Sequence, residues 1–238
     1  MSRRRADAPA AHPRHERRGE ARLPPVIATL AAIALYLALP QQLLVTPRYV
    51  LPALEVLLLV PLIAINPRRL TRQTKTFRVL SLTLVLLIAA SNLAALGVLV
   101  HELLNAQVAD GRALLVAALQ VWLTNVIAFG LAYWELDRGG PVSRTQLPRG
   151  ELPLADFRFS QDENDDAVGE VADGSSGKSD WVPSLPDYLY VSVTNSTAFS
   201  PTDTMPLSTR AKLLMSVQSV SALLTSLLVI ARAVSILH

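Results

Sequence analysis

Five stretches of this 238-residue chain, at 23–39, 50–65, 79–100, 113–134 and 211–237, are apolar almost without interruption. At 1.5 Å per residue each reaches or approaches the length needed to cross a hydrocarbon core about 30 Å thick. Backbone in lipid must satisfy its hydrogen bonds internally, which leaves helices or a closed barrel. Continuous apolar runs, with no period-two alternation, select helices. Charged residues make up 17% of the chain, against roughly 25% in soluble domains. The expected fold is all-α: a polytopic helical membrane protein of five or six membrane helices.

Formal net charge is +3, and the positive charge is unevenly placed. It concentrates in residues 1–22 and in the loop holding Arg68, Arg69, Arg72, Lys75 and Arg78. Few aromatic residues interleave with these cations, so the pattern is that of cytoplasmic loops in a membrane protein and not of a nucleic-acid surface. The bilayer is the expected partner, and no nucleic acid is. Cysteine is absent, which excludes disulfides, thiolate metal sites and cysteine nucleophiles.

Four segments follow. Residues 1–22 read as a disordered basic tail. Arg3, Arg4 and Arg5 precede an apolar stretch, but Pro40-Gln41-Gln42 follows it in place of a small-residue cleavage site, so an uncleaved anchor is expected. Residues 23–136 hold four apolar helices; Pro24 and Pro25 suit a helix entry and Asn66-Pro67 an exit. Residues 137–180, rich in Gly, Ser, Pro and acid, read as an acidic disordered loop. Residues 181–238 hold a short polar helix, a loop and a last apolar helix.

Polar groups within apolar spans are costly and need a partner or a purpose. The antiparallel third and fourth helices would place Asn92 at a depth similar to Gln120, Thr124 and Asn125, where inter-helix hydrogen bonding is the favoured role and a polar transit path the alternative. Glu55 lies within the second span and either pairs with Arg48 or serves a proton or cation. In the last helix Gln218, Ser221, Thr225, Arg232 and Ser235 recur at steps of three and four and share a face with Leu228. That stripe faces protein or water; pore lining and helix packing both remain open. Arg232 is near enough to the end to snorkel.

Two short motifs carry little. Residues 162–166 open like an EF-hand loop, but Ala167 stands at the glycine and Asp173 at the terminal glutamate. Asn195-Ser196-Thr197 matches a glycosylation sequon inside a segment expected to be embedded.

The stretch Ser192-Val193-Thr194-Asn195-Ser196-Thr197-Ala198-Phe199-Ser200-Pro201-Thr202-Asp203 aligns without gaps with the pore signature S-V-x-T-x-T-T-V-G-Y-G-D. With Pro206, Arg210 and the apolar helix that follows, it resembles the two-helix pore module of potassium channels. The resemblance implies a filter-like loop at Thr197, Ala198, Phe199, Ser200, Pro201, Thr202 and Asp203, and a homotetramer if the chain conducts. Ser200 and Thr202 replace the filter glycines, and Pro201 replaces the tyrosine between them. Glycine permits the positive φ that inward-pointing carbonyls require, whereas proline fixes φ near −65°. Potassium selectivity is therefore not carried over. Residues 79–237 also resemble an uncharacterised family of small bacterial integral membrane proteins, through Asp156-Phe157-Arg158-Phe159, an acidic stretch, Asp187-Tyr188-Leu189-Tyr190 and a final apolar helix; this resemblance implies no activity.

Alternating spans from a cytoplasmic N-terminus makes the fourth helix run inward, opposite to the helix before a potassium-channel pore loop. The conflict vanishes if 183–200 crosses as a fifth span, and a six-span protein of the cell membrane with both termini cytoplasmic is the preferred reading. A re-entrant 183–200 is the alternative, and it would place Arg210 and Lys212 inside. Two functions are carried forward: a channel-like module with a weakly selective or non-conducting cation pore, and a structural or interaction protein without transport. No nucleophile–base pair, metal motif or cofactor motif points to an enzyme; His101 beside Glu102 reads as a solvated pair at a helix end.

Overall fold

The computed structural model describes residues 18–104, 111–197 and 203–236. Helix dominates. The long elements are α1 (Leu23–Leu37), α2 (Val50–Ile65), α3 (Lys75–Leu104) and α4 (Gly111–Leu136). Short helices α5 (Pro141–Gln146), α6 (Gly169–Ala172) and α7 (Ser176–Ser179) follow, then α8 (Leu185–Thr197) and α9 (Thr209–Ile236). Three helices are long and apolar enough to cross a membrane, over Lys75–Glu102, Ala113–Gly139 and Thr209–Ile230; α1 and α2 are shorter apolar helices. A membrane protein is the consistent reading.

Local sequence explains the turns. Pro24 and Pro25 occupy the first turn of α1, where a missing N–H costs nothing. Past α2, the buried Asn66 side chain accepts from the Thr71 and Arg72 amides and donates to the Arg72 carbonyl, folding 66–72 around itself. Lys75 to Arg78, read as loop from the sequence, form the first turn of α3.

The helix ends sort into one polar end and its opposite. α1 starts at the polar end, where the Arg22 N–H meets the Arg68 carbonyl at 3.1 Å, and α2 ends there. α3 starts and α4 ends there, joined by Arg78 on Glu135 at 2.7 Å. α8 starts there too, its Leu185 N–H on Glu20 at 2.8 Å. So does α9, whose Arg210 meets Asp156 at 2.5 Å. α8 and α9 thus both start at the polar end. α8 has 13 residues and rises about 20 Å, less than the thickness of a hydrocarbon core. A two-stranded ribbon secures the return, with β1 (Phe157–Arg158) antiparallel to β2 (Met205–Pro206).

Residues 137–180 are not the disordered loop expected. Phe157 and Phe159 are buried, Phe157 against Tyr133 (ring centroids 5.1 Å) and Tyr188 (6.2 Å), Phe159 against Tyr188 (5.4 Å) and Trp181 (5.7 Å). Aromatic burial supplies the ordering energy that composition alone seemed to deny the segment. Residues 18–22 are likewise packed, through an Ala21–Arg69 bridge and buried Arg22.

Candidate functional site in the C-terminal hairpin

α8 is the polar helix at the heart of the hairpin, and its approach to α4 depends on Gly130. A Cβ at Gly130 would stand 2.7 Å from the Leu189 side chain and 3.3 Å from its Cα. With that clearance, α8 lies between α4 and α9 and turns Ser192, Asn195 and Ser196 into the bundle.

Gln218 of α9 meets them there and is 0% exposed. Its amide nitrogen donates to the Ser192 hydroxyl (2.5 Å), the Ser192 carbonyl (3.1 Å) and the Ser196 hydroxyl (2.9 Å). Its amide oxygen accepts from Tyr133 (2.5 Å) and Asn195 (2.8 Å). Asn195 also donates to the Met215 carbonyl and accepts from Ser219. A glycan on this asparagine would have to displace the whole contact, so the sequon is closed. Ser221 accepts from Asn125 at 2.7 Å, and Thr225 donates to the Ser221 carbonyl at 2.8 Å. The stripe Gln218, Ser221 and Thr225 therefore packs within the protomer against α4 and α8. Arg232 belongs to α9, and its side chain lies outside the described residues.

Of the filter-like loop, Ala198, Phe199, Ser200, Pro201 and Thr202 lie outside the described residues. Thr197 ends α8, exposed, with its hydroxyl on the Val193 carbonyl at 2.9 Å. Asp203 accepts from Tyr190 at 3.1 Å, which holds the returning chain beside the first half of α8. Below it opens a groove of about 580 Å³ lined by Asn195, Thr204, Met205, Lys212, Ser216 and Ser219 among others.

The intramembrane candidates separate. Glu55 is buried on α2, but Arg48 donates to the Leu37 (2.9 Å) and Leu39 (3.1 Å) carbonyls, so the expected pair does not form. Asn125 bonds across to α9 and not to α3. Thr124 donates to the carbonyl of Gln120 one turn back. Asn92 is 3% exposed, and its amide nitrogen has no hydrogen-bond partner.

Sequence reasoning missed the charged knot at the polar end. Asp137 is 0% exposed: Oδ1 accepts from the Asp156 (2.6 Å) and Phe157 (3.3 Å) amides, and Oδ2 from Tyr188 (2.5 Å) and Arg138 (3.1 Å). Arg138 reaches on to Asp162 at 2.7 Å. Arg144, also 0% exposed, donates to the Trp134 and Asp137 carbonyls and lies over the Tyr188 ring at 4.8 Å. Glu20 accepts from Trp134 and from the Leu185 amide, with Arg144 3.8 Å away. Burial pushes the Glu20 carboxyl above the ordinary carboxylate range, against the pull of Arg144. Burial alone would raise Asp162 too, but bonds from Ser176, Arg138 and the Phe159 amide hold it below the ordinary range. The signal available in the sequence was the aromatic content of a supposed linker. Asp162 is thereby an ion-pair and hydrogen-bond partner within the chain, and no cluster of three metal-binding side chains occurs among the described residues.

These ions balance: Arg22, Arg78, Arg138, Arg144 and Arg210 stand among Glu20, Glu135, Asp137, Asp156 and Asp162. A balanced, interlocked set holds the entry of α8, the exit of α4 and the start of α9 in one register. Comparison of the chain with protein-family models, with curated proteins and with solved structures finds no match.

Proposed function

We propose that the C-terminal hairpin is a channel-like module in a multi-pass protein of the cell membrane. In this reading α8 enters from the cytoplasmic face, the chain returns to that face, and α9 crosses outward. Copies of the chain gather around the hairpin as a weakly selective cation pore. The observation that carries it is the shared starting end of α8 and α9, with α8 about two thirds the length of a span. Non-helical backbone at membrane depth persists where protein covers it or water reaches it. The carbonyl end of a half-helix favours cations. The groove lined by Asn195, Thr204, Ser216 and Ser219 offers amide and hydroxyl groups, while Lys212 in its lining opposes strong cation preference.

Sidedness supports the same reading. Arg68, Arg69, Arg72, Lys75, Arg210 and Lys212 all belong to the polar end, so the positive-inside rule makes that end cytoplasmic. The N-terminal side of α1 is then cytoplasmic and the end of α9 external, five crossings and one re-entrant helix. The module is turned over relative to the potassium-channel arrangement, which removes the conflict over the direction of α4. The rival reading, an interaction protein without transport, is favoured by one observation: the α9 stripe is consumed inside the protomer.

Reconstituted full-length protein decides between them. Liposomes holding the oligomer should pass Na⁺ and K⁺ at similar rates, with Ser216→Trp in the groove lowering flux. Well-folded oligomers that pass neither ion establish the interaction reading. Single cysteines at exposed Thr71 and Met205 should react with an impermeant thiol reagent from one side, and at Val45 from the other. Opposite labelling of Thr71 and Met205 would remove the re-entrant helix.

A further inference from the structure

The apolar interior of the bundle is divided in two. One cluster takes Leu84, Val85 and Ile88 from α3, Ala128 and Phe129 from α4, and Met215 from α9. The other takes Ala95, Leu96 and Leu99 from α3 and Ala117, Ala118 and Val121 from α4, with Val229 of α9 packed against it. On each helix polar residues are buried between the clusters, Asn92 on α3, Thr124 and Asn125 on α4 beside Val126, and Gln218, Ser221 and Thr225 on α9 beside Ala222. Three helices thus change cluster through one polar layer.

Within that layer the hydrogen bonds do not close. The Asn92 amide nitrogen and the Asn125 amide oxygen are buried without partners, with Asn92 3% and Asn125 2% exposed. Each such atom in an apolar interior costs more than a made hydrogen bond returns. One orphan donor and one orphan acceptor in the same layer are complementary to a molecule that both donates and accepts. No carboxylate from α3, α4 or α9 joins the layer, which disfavours a cation, and an amide N–H among the orphans opposes one directly. Exchanging the nitrogen and oxygen of Asn92 would substitute an orphan acceptor for an orphan donor, a change that water answers equally well.

We infer that the contact of α3, α4 and α9 is an internal hydration site, binding ordered water through Asn92 and Asn125. Buried water of this kind typically takes two to four polar partners, and here it bridges helices that the side chains leave unjoined. On the α9 side the site meets the closed network: Asn125 holds Ser221, whose hydroxyl donates to the Gln218 carbonyl. Polar groups continue from there through Asn195 to Ser219 in the groove at the polar end. The inference does not depend on conduction.

The test is water-edited solid-state NMR on full-length ¹⁵N-labelled protein in liposomes. The Asn92 and Asn125 side-chain amides would be assigned with Asn92→Gln and Asn125→Gln. Polarisation from water should reach both amides as early as it reaches exposed Gln73, well ahead of the Leu96 and Ala118 backbone amides. Asn92 and Asn125 signals rising no sooner than those core amides would overturn the site. A folded Asn92→Leu variant should lose the early transfer to Asn125; unchanged transfer there would overturn the shared binding of water.

Discussion

Glu135, Asp137 and Arg144 at the polar end are as deeply buried as Gln218 and Ser192 in the bundle, yet the first group is ionisable and the second neutral. Both sets are held by several side chains from elements distant in sequence. The difference is in what neighbouring elements can offer. At the polar end the 137–180 segment and residues 18–22 bring carboxylates and guanidiniums together, so each buried ion meets an opposite one. Deeper in the bundle α4, α8 and α9 contribute amides and hydroxyls, which cross an apolar interior at far lower desolvation cost. Ions therefore fix where the helices begin and end, and neutral groups fix how they are rotated about their axes.

If that division holds, the largest single loss comes from breaking the ionic knot. Asp137→Ala leaves two backbone amides, the Tyr188 hydroxyl and one face of Arg138 without an acceptor. It should cost about 3–5 kcal/mol, read as a lowered denaturation midpoint in detergent with circular dichroism following helix loss. Gln218→Leu removes a neutral hub and strands Asn195, Ser192 and Tyr133 together. A cost of about 2 kcal/mol follows from hydrogen bonds that contribute modestly within membrane bundles. Were Gln218→Leu the more damaging of the two, the ranking of ions over amides would be reversed.

The same contrast decides what could be read in the sequence. Apolar run lengths located α3, α4 and α9 and the shorter apolar α1 and α2, because their signal is local and needs no partner. Gln218, Ser221 and Thr225 stood out as polar residues on an apolar helix, but nothing in their spacing told packing from pore lining. That depends on α8 lying between α4 and α9, which Gly130 permits and no periodicity announces. The polar-end knot was hidden for a different reason. Its members come from positions as far apart as Glu20, Arg144 and Leu185, and composition averages Phe157, Phe159 and Trp181 into a polar stretch that looks unfoldable. Length and hydropathy allow 183–200 to span as a fifth crossing. The ribbon of Phe157 with Pro206 is a long-range pairing, silent in local sequence, that brings the start of α9 to the end where α8 begins.

The smallest predicted effect concerns Glu20, where the two regions touch: its carboxylate holds the first amide of α8 from the polar end. Its folded-state affinity for a proton is raised above the ordinary value of 4.5 by burial, so the folded chain binds that proton more readily than the unfolded chain does. Stability from this site is fully present below pH 4.5 and is lost as pH rises through the raised value. Asp162 works in the opposite direction, its contribution fading as pH falls. The difference between wild type and Glu20→Gln isolates the first from the second, because Asp162 is common to both. Glutamine keeps an acceptor for Leu185 and cannot ionise. The variant should therefore lose the fall in stability between pH 4.5 and the raised value, measured as the denaturation midpoint against pH in one detergent. Identical pH slopes for the two proteins would mean that Glu20 binds its proton no more readily in the folded chain than in the unfolded one, and that Arg144, at 3.8 Å, offsets its burial. The charged end would then be bound by attraction alone, and the contrast with the neutral interior would be sharper than burial suggests.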